Sequence, residues 1–219
     1  MIELDRVGCR IGGRWALEDV TLRVEAGELV GLEGPNGGGK SLLLAVCATL
    51  VRPDAGRVVI AGQDARSRAA AVRAVVGYVG ESVGFYPDMT VGEDLEFFGR
   101  ASRLTRADAA AAARAILGRL GLLPAAGVRM AEASRGLLRK IALARALVHQ
   151  PRVLLLDDPG SGVDADGCAA LWRELRRHVE DGGAALVAGG DGDLLRHARR
   201  IAVLREGRLH QEPSLVEPA

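Results

Sequence analysis

An eight-residue glycine-rich segment, Gly34-Pro35-Asn36-Gly37-Gly38-Gly39-Lys40-Ser41, places narrow limits on the fold of this chain. It fits the pattern G-x-x-x-x-G-K-S, follows an apolar run at residues 29–32 and opens an apolar stretch at residues 41–50. We therefore expect a strand, a loop and a helix in that order, the context in which this pattern binds phosphate. The backbone N–H groups of such a loop surround an anion, and the N-terminus of the helix adds positive potential.

The residue types in this loop predict separate roles. Lys40 is expected to reach the β and γ phosphates of a nucleotide, and Ser41 to bind Mg²⁺. Lys40 and Lys140 are the only lysines among 29 basic residues, which argues against an ordinary glycine turn with a solvated lysine. The predicted nucleotide-binding residues are Gly34, Pro35, Asn36, Gly37, Gly38, Gly39, Lys40, Ser41 and Leu42.

Two acidic residues, Asp157 and Asp158, directly follow a continuous apolar run at residues 153–156. Such a run predicts a strand that is buried on both faces of a parallel sheet. Because ligands of α/β folds bind at the carboxyl ends of the strands, we expect Asp157 to hold Mg²⁺, directly or through water. Asp158 is the candidate for orienting an attacking water. The alternative is that both carboxylates cap the following turn.

Strand and helix patterns alternate along the chain and predict an α/β fold, with a parallel sheet covered by helices on both faces. Short strand patterns at residues 1–4 and 20–24 flank a glycine turn and indicate an antiparallel β portion near the N-terminus. Residues 82–150 change to a helical period and predict an inserted helical lobe, which leaves residues 1–81 and 151–219 as the core. Further strand patterns occupy residues 57–61, 76–79, 153–156, 184–188 and 201–204.

Composition excludes several classes of protein. With 48% hydrophobic and 26% charged residues and a formal net charge of +1, the chain is not disordered, and binding to nucleic acid is not expected. The three cysteines, Cys9, Cys47 and Cys168, are too few and too widely spaced for a disulfide framework or a zinc site, and indicate buried thiols in a reducing compartment. The apolar stretch at residues 42–51 is too short to cross a bilayer.

Taken in order and spacing, the motifs resemble the ATP-binding subunits of ABC transporters over nearly the full length of the chain. Residues 34–41 are similar to the Walker A loop and residues 153–158 to the Walker B strand. Ala133-Ser134-Arg135-Gly136-Leu137 lies where the family has its signature, usually written LSGGQ, and a typical helix pattern follows at residues 141–147. Residues 161–164 resemble the D-loop and residues 77–81 the Q-loop.

The resemblance implies a P-loop NTPase core, ATP and Mg²⁺ as cofactors, and ATP hydrolysis that drives transport. It also implies that two subunits, identical or different, close head to tail. Ser134 and Gly136 would then contact the ATP of the second subunit. Glu81, at the Q-loop position, is expected near the metal and the γ-phosphate, with a catalytic or metal-binding role. The implied location is the cytoplasmic face of the inner membrane, peripherally bound to transmembrane permease subunits.

Five positions depart from the family pattern. Ile11 stands where an aromatic residue stacks on adenine, and Trp15 is a nearby substitute in a different register. Glu81 replaces a glutamine, and the signature reads ASRGL, forms that resemble the exporter branch with separate permeases. Asp158 replaces the catalytic glutamate, and Gly190 the switch histidine. A carboxylate one methylene shorter is set back by about 1.5 Å, and glycine offers no contact to the γ-phosphate. The departures predict slow hydrolysis with intact ATP binding.

Two functions therefore stay open at the level of the sequence. The first is an ATPase that powers a transporter, and the second is a degenerate ATP-binding clamp or regulatory cassette paired with an intact partner.

Five of the seven aromatic residues fall between positions 78 and 98, namely Tyr78, Phe85, Tyr86, Phe97 and Phe98. In the family this region receives the permease. The alternative is that the rings fill the seam between the two lobes. Because Gly84 and Pro87 indicate an exposed loop, Phe85 and Tyr86 are the predicted contact pair.

Overall fold

The computed structural model of the protein describes residues 1–81, 84–189 and 197–215. Its strands are β1 (Ile2–Ile11), β2 (Arg14–Val24), β3 (Glu28–Glu33), β4 (Ala55–Ile60), β5 (Gln63–Asp64), β6 (Val76–Val79), β7 (Val153–Asp157), β8 (Ala184–Ala188), β9 (Arg200–Arg205) and β10 (Arg208–Leu215). Its α-helices are α1 (Lys40–Cys47), α2 (Ala69–Arg73), α3 (Val91–Ala101), α4 (Arg106–Arg119), α5 (Arg135–Leu147) and α6 (Ala165–Glu180). The predicted α/β class is confirmed.

Strands β1, β2, β4 and β5 form an antiparallel sheet in the order β2-β1-β4-β5. Ile2 and Leu4 of β1 are buried, whereas Glu3 and Asp5 are exposed, so this part of the strand alternates as expected for a sheet with one solvated face. The predicted antiparallel β portion is therefore confirmed. Its first two strands are longer than the sequence pattern indicated, because bulges between Leu4 and Arg10 interrupt the regular alternation.

The remaining strands form a second sheet in the order β10-β9-β3-β8-β7-β6. The pairs from β9 to β6 are parallel, and β10 adds an antiparallel edge strand to β9. All five residues of β7 and of β8 are buried, as their apolar runs predict. Strand β9 is less buried than β7 and β8. Ile201 and Val203 are only half-buried, because one face of this strand is incompletely covered.

Helices α3, α4 and α5 lie between β6 and β7 in the chain, within the segment predicted as a helical lobe. Each begins at a hydroxyl residue whose side chain accepts a hydrogen bond from a backbone N–H three residues later: Thr90, Thr105 and Ser134. Their apolar faces share one core with one face of the second sheet, where Leu154 and Leu156 point. The other face, with Val153 and Leu155, packs with α1 and the antiparallel sheet.

Within the described ranges, no helix is both long and apolar enough to cross a membrane. Cys9 and Cys47 are buried, as expected, and Cys168 is half-buried. Burial raises the pKa of the Cys47 thiol to about 12, so this thiol stays protonated at neutral pH.

An ion pair joins the starts of two strands of the second sheet. Arg200, the first residue of β9, donates through Nε and Nη2 to the carboxylate of Glu28, the first residue of β3, and also to the carbonyl oxygen of Arg23 in β2. Burial by itself would raise the pKa of Glu28, but hydrogen bonds from Arg200 and from the Glu25 amide outweigh it and lower the pKa. The pair therefore favours ionised Glu28 in the folded protein.

We predict that Glu28→Gln lowers the free energy of unfolding at pH 7 by about 1–3 kcal/mol, because the charged hydrogen bonds of Arg200 lose their carboxylate. The pKa of Glu28 is lower in the folded than in the unfolded chain. The stabilisation is therefore present above about pH 4.3 and disappears as the pH falls through the folded pKa. Urea unfolding at pH 7 and at about pH 3 should show a smaller difference between wild type and variant at the lower pH.

The matched control is Glu3→Gln, because Glu3 forms an exposed ion pair with Arg23 at 3.8 Å. Glu3→Gln should lower the free energy of unfolding by less than about 0.5 kcal/mol. An equal loss for Glu28→Gln at both pH values would contradict the assignment.

Candidate functional site

A surface groove of about 600 Å³ lies at the carboxyl edge of the second sheet. It brings together the glycine loop, both acidic residues that follow β7 and the acidic residue that follows β6. The lining residues are Ile11, Ala16, Asn36, Gly37, Gly39, Lys40, Ser41, Leu42, Glu81, Asp157, Asp158 and Gly189. Residues separated by more than a hundred positions in sequence thus share one site.

Backbone conformations that only glycine adopts readily shape the loop between β3 and α1. Gly34 has φ 149°, and a Cβ there would lie 1.9 Å from the carbonyl oxygen of Leu204 in β9. Gly39, with φ 103°, precedes α1, and a Cβ there would lie 2.9 Å from Leu17. The glycines are needed because the loop passes directly against β9 and β2.

The ammonium group of Lys40 lies across the loop. Its Nζ donates to the carbonyl oxygens of Gly34 at 2.7 Å and of Pro35 at 3.0 Å. Lys40 is also the first residue of α1, so its positive charge adds to that of the helix N-terminus. The arrangement provides a cation and backbone N–H groups within the groove, which suits a phosphate.

Asp157, the last residue of β7, is buried, and its Oδ2 accepts no hydrogen bond from the residues that the structure describes. A buried carboxylate oxygen without a partner is costly unless a cation or water binds it. Ser41 lines the same groove, and a hydroxyl and a carboxylate are ligand types that Mg²⁺ accepts. These residues therefore fit the metal. The interpretation of Asp157 as a turn cap finds no support, since its Oδ2 is bonded to no backbone amide.

Asp158 adopts φ 46°, which is uncommon for a residue with a side chain. Its amide donates to the carbonyl oxygen of Ala188 at 2.7 Å, which turns the chain sharply after β7. The half-buried carboxylate lines the groove, and so does the exposed Glu81 from the end of β6. Burial, together with the charge of Asp157, raises the pKa of Tyr78 in β6.

Ser134 and Gly136 do not line this groove. Ser134 is the exposed N-cap of α5, and its hydroxyl accepts from the Leu137 amide at 3.2 Å. A Cβ on Gly136 would lie 2.9 Å from the carbonyl oxygen of Gly162, so the signature segment packs against the loop before α6. Their predicted contact with nucleotide therefore requires another chain.

The structure shows where Ile11 and its candidate substitute Trp15 lie. Ile11 lines the groove and is 62% exposed, whereas Trp15 does not line it and stacks on the guanidinium of Arg10 at 4.1 Å. Trp15 is therefore no substitute for the missing adenine-stacking aromatic residue. The ring of His197 lies 4.5 Å from that of Trp172, outside the groove. Gly190 lies outside the described residues.

The aromatic cluster is divided between core and surface. Phe85 and Phe98 are half-buried and sandwich the guanidinium of Arg145, at 4.6 and 4.0 Å from the ring centroids. The same guanidinium forms two hydrogen bonds to the fully buried carboxylate of Asp94, at 2.6 and 3.0 Å. Tyr86 is exposed and meets the exposed Phe97 edge to face at 5.6 Å. The prediction of an exposed ring thus holds for Tyr86, and Phe85 belongs to the seam.

Sequence reasoning missed Arg139, whose guanidinium lies behind the groove against the ends of β6 and β7. The available signal was a basic residue four positions before Leu143, on a side of α5 that faces the protein interior. Arg139 belongs to none of the phosphate-binding or carboxylate motifs, so their patterns did not reveal it.

Comparisons with known proteins agree with this geometry. Residues 17–161 match the ABC transporter family. A daunorubicin resistance ATP-binding protein of Streptomyces coeruleorubidus is 36% identical over 214 residues, which are 96% of this chain and 67% of that protein. Nod factor export ATP-binding protein I of Paraburkholderia xenovorans is 35% identical over 210 residues, which are 94% of this chain and 68% of that protein.

Solved structures share the fold. An ATP binding subunit of an ABC transporter superposes with a TM-score of 0.91 at 23% identity, over 99% of this chain and 90% of that one. A dimeric ATP-binding cassette in a post-hydrolysis state, bound to ADP and Pi, superposes with a TM-score of 0.90 at 24% identity, over 99% of both chains. The chain belongs to the ABC transporter family, and it is an ATP-binding subunit of that class.

Proposed function

We propose that this chain binds and hydrolyses Mg-ATP in the groove at the carboxyl edge of the second sheet, and so powers an exporter. One observation carries the proposal. The glycine loop, the Asp158 carboxylate and the Asp157 oxygen, which has no partner among the described residues, line the same groove. The names of the relatives, which refer to drug resistance and Nod factor export, support the direction of transport and give no support to a degenerate clamp.

Each residue of the groove has a distinct task in this proposal. The loop amides and Lys40 hold the phosphates, and Ile11 and Ala16 offer an apolar surface to the base. Ser41 and Asp157 would hold Mg²⁺, with Glu81 as a further candidate, and the ion would neutralise charge on the phosphates. Asp158 orients the attacking water and accepts its proton, with Glu81 as the second candidate for this role.

The acid after β7 makes slow hydrolysis the expected behaviour. Asp158 is shorter than glutamate by one methylene, about 1.5 Å, and the amide of Asp158 is held at 2.7 Å to Ala188, so the backbone is not free to move the carboxylate forward. Displacement of a catalytic group by this distance lowers the rate strongly, whereas nucleotide binding depends on the loop and persists.

A second subunit and a permease complete the assembly that we propose. Ser134 and Gly136 lie outside the groove, so a second cassette, the same or different, would have to present its own nucleotide to them. The exposed pair Tyr86 and Phe97 offers an apolar contact for transmembrane subunits, which would hold the chain at the cytoplasmic face of the membrane.

We predict that Lys40→Ala lowers the affinity for ATP at least about tenfold, because a charged hydrogen bond to phosphate is lost. Isothermal calorimetry measures the effect. Lys140→Ala is the matched control. Lys140 lies on α5, is the only other lysine and pairs with Asp164 at 2.8 Å. Equal affinity of wild type and Lys40→Ala would show that the loop does not bind ATP.

For catalysis, Asp158→Glu combined with Gly190→His should raise turnover at least about tenfold, by restoring a well-placed base. The two changes should be non-additive, because both act on one water and one phosphate. Steady-state phosphate release measures turnover, with Asp166→Glu, an exposed acid in α6, as the control. Wild-type turnover on the order of 1–10 s⁻¹ would contradict slow hydrolysis and make Glu81 the next residue to test.

Replacing Tyr86 and Phe97 with Ser should abolish co-purification with the permease and leave ATP binding unchanged, because both rings are exposed, at 52% and 40%. The control replaces with Ser two other exposed apolar residues, Leu50 at 61% and Leu123 at 47% exposure. If the complex survives only in the control, the rings form the contact. If it survives in both, they do not.

A further inference from the structure

The side chain of Arg139 reaches from α5 to the ends of two strands. Its Nη1 donates to the carbonyl oxygens of Gly80 at 2.8 Å and Glu81 at 3.1 Å, just beyond β6. Its Nη2 donates to the carbonyl oxygens of Asp158 at 2.6 Å and of Asp157, at the end of β7. One guanidinium therefore contacts four backbone carbonyls, two at the end of β6 and two at the end of β7.

These contacts continue the sheet where its own pairing stops. The ladder between β6 and β7 ends at the pair Val79 and Leu156, so the residues beyond it are not joined by strand pairing. The planar fork of a guanidinium presents two nitrogens side by side and fits this gap, whereas a lysine presents a single nitrogen. Nε of Arg139 is buried and donates to none of the described residues, so the strand ends account for the position of the group.

The residues held in this way carry the carboxylates of the groove. Glu81, Asp157 and Asp158 all line it, and Arg139 contacts the carbonyl of each. Helix α5 begins just after Ser134, five residues or about 7.5 Å along the axis from Arg139. A displacement of the start of α5 would therefore move the guanidinium and the strand ends together.

We propose that Arg139 is a positioning residue that sets the separation of Glu81 and Asp158 across the groove and links it to the placement of the signature segment. The proposal rests on the proposed ATPase function. In this proposal α5 links two places. Ser134 at its start meets the second subunit, and Arg139 within it holds the residues whose carboxylates act on the chain's own ATP.

Two other basic residues of α5 bond carboxylates instead of the strand ends. Lys140 pairs with Asp164 at the start of α6, and Arg145 with the buried Asp94 of α3. Arg139 is thus the basic side chain of this helix that bonds the strand ends, among the contacts that the structure describes.

The test compares Arg139→Lys and Arg139→Ala with wild type. We expect kcat to fall at least about tenfold, because the water and the phosphate are no longer aligned, whereas KM and the calorimetric Kd for ATP stay within about twofold. Hydrogen exchange should quicken at least about threefold in peptides that contain Gly80 and Ser161. The Ser161 amide donates to the Asp158 carbonyl at 3.2 Å and reports on its position.

Arg119→Ala is the matched control. Arg119 is another partly buried arginine, 31% exposed and bonded to Glu174 at 2.9 Å, at the far end of the sheet. Arg119→Ala should lower the unfolding temperature without changing kcat or the rate of hydrogen exchange at the two strand ends. The proposal is overturned if Arg139→Lys keeps the wild-type kcat and exchange, or if Arg119→Ala reproduces both changes.

Failure of the ATPase function would be seen separately. If wild-type protein binds ATP and releases no phosphate, the proposed activity is wrong, and hydrogen exchange alone decides on Arg139. Unchanged exchange at both strand ends in Arg139→Ala would then reject its positioning role.

Discussion

Parallel pairing of β3, β8, β7 and β6 is the constraint on which the groove depends. Because neighbouring parallel strands all end on one side, the glycine loop after β3, Asp157 at the end of β7 and Glu81 after β6 meet at the same edge. The pairing of Asp157 with Ala188 fixes the height at which its carboxylate emerges. A change of register in any of these strands would remove a member of the site.

The groove concentrates negative charge and must balance it. Asp157, Asp158 and Glu81 line it together with Lys40 of the glycine loop. Among the described residues, Arg139 bonds backbone carbonyls alone, and the buried Oδ2 of Asp157 has no partner. Within the described part of the chain the protein thus places a cation near the carboxylates without a direct ion pair to them, and their oxygens are available to the metal ion and the water molecule that we propose.

Much of this architecture follows from local patterns. The apolar runs of β7 and β8 and the glycine loop between β3 and α1 each depend on neighbours in sequence, and these elements form as predicted. Partners distant in sequence are less predictable. Phe85 was expected at the surface but packs on Arg145, sixty residues further along the chain, and Trp15 pairs with Arg10 on the antiparallel sheet instead of facing the groove.

The sequence by itself determined the glycine loop, the acidic end of β7 and the family, because these depend on short motifs whose chemistry lies within a few consecutive residues. Only the tertiary structure decided that Trp15 stays outside the groove, that Tyr86 and Phe97 form the exposed aromatic pair, and that Arg139 holds the ends of β6 and β7. The physical reason is that a long side chain finds its partners by packing between elements, and a linear pattern does not record which elements lie side by side.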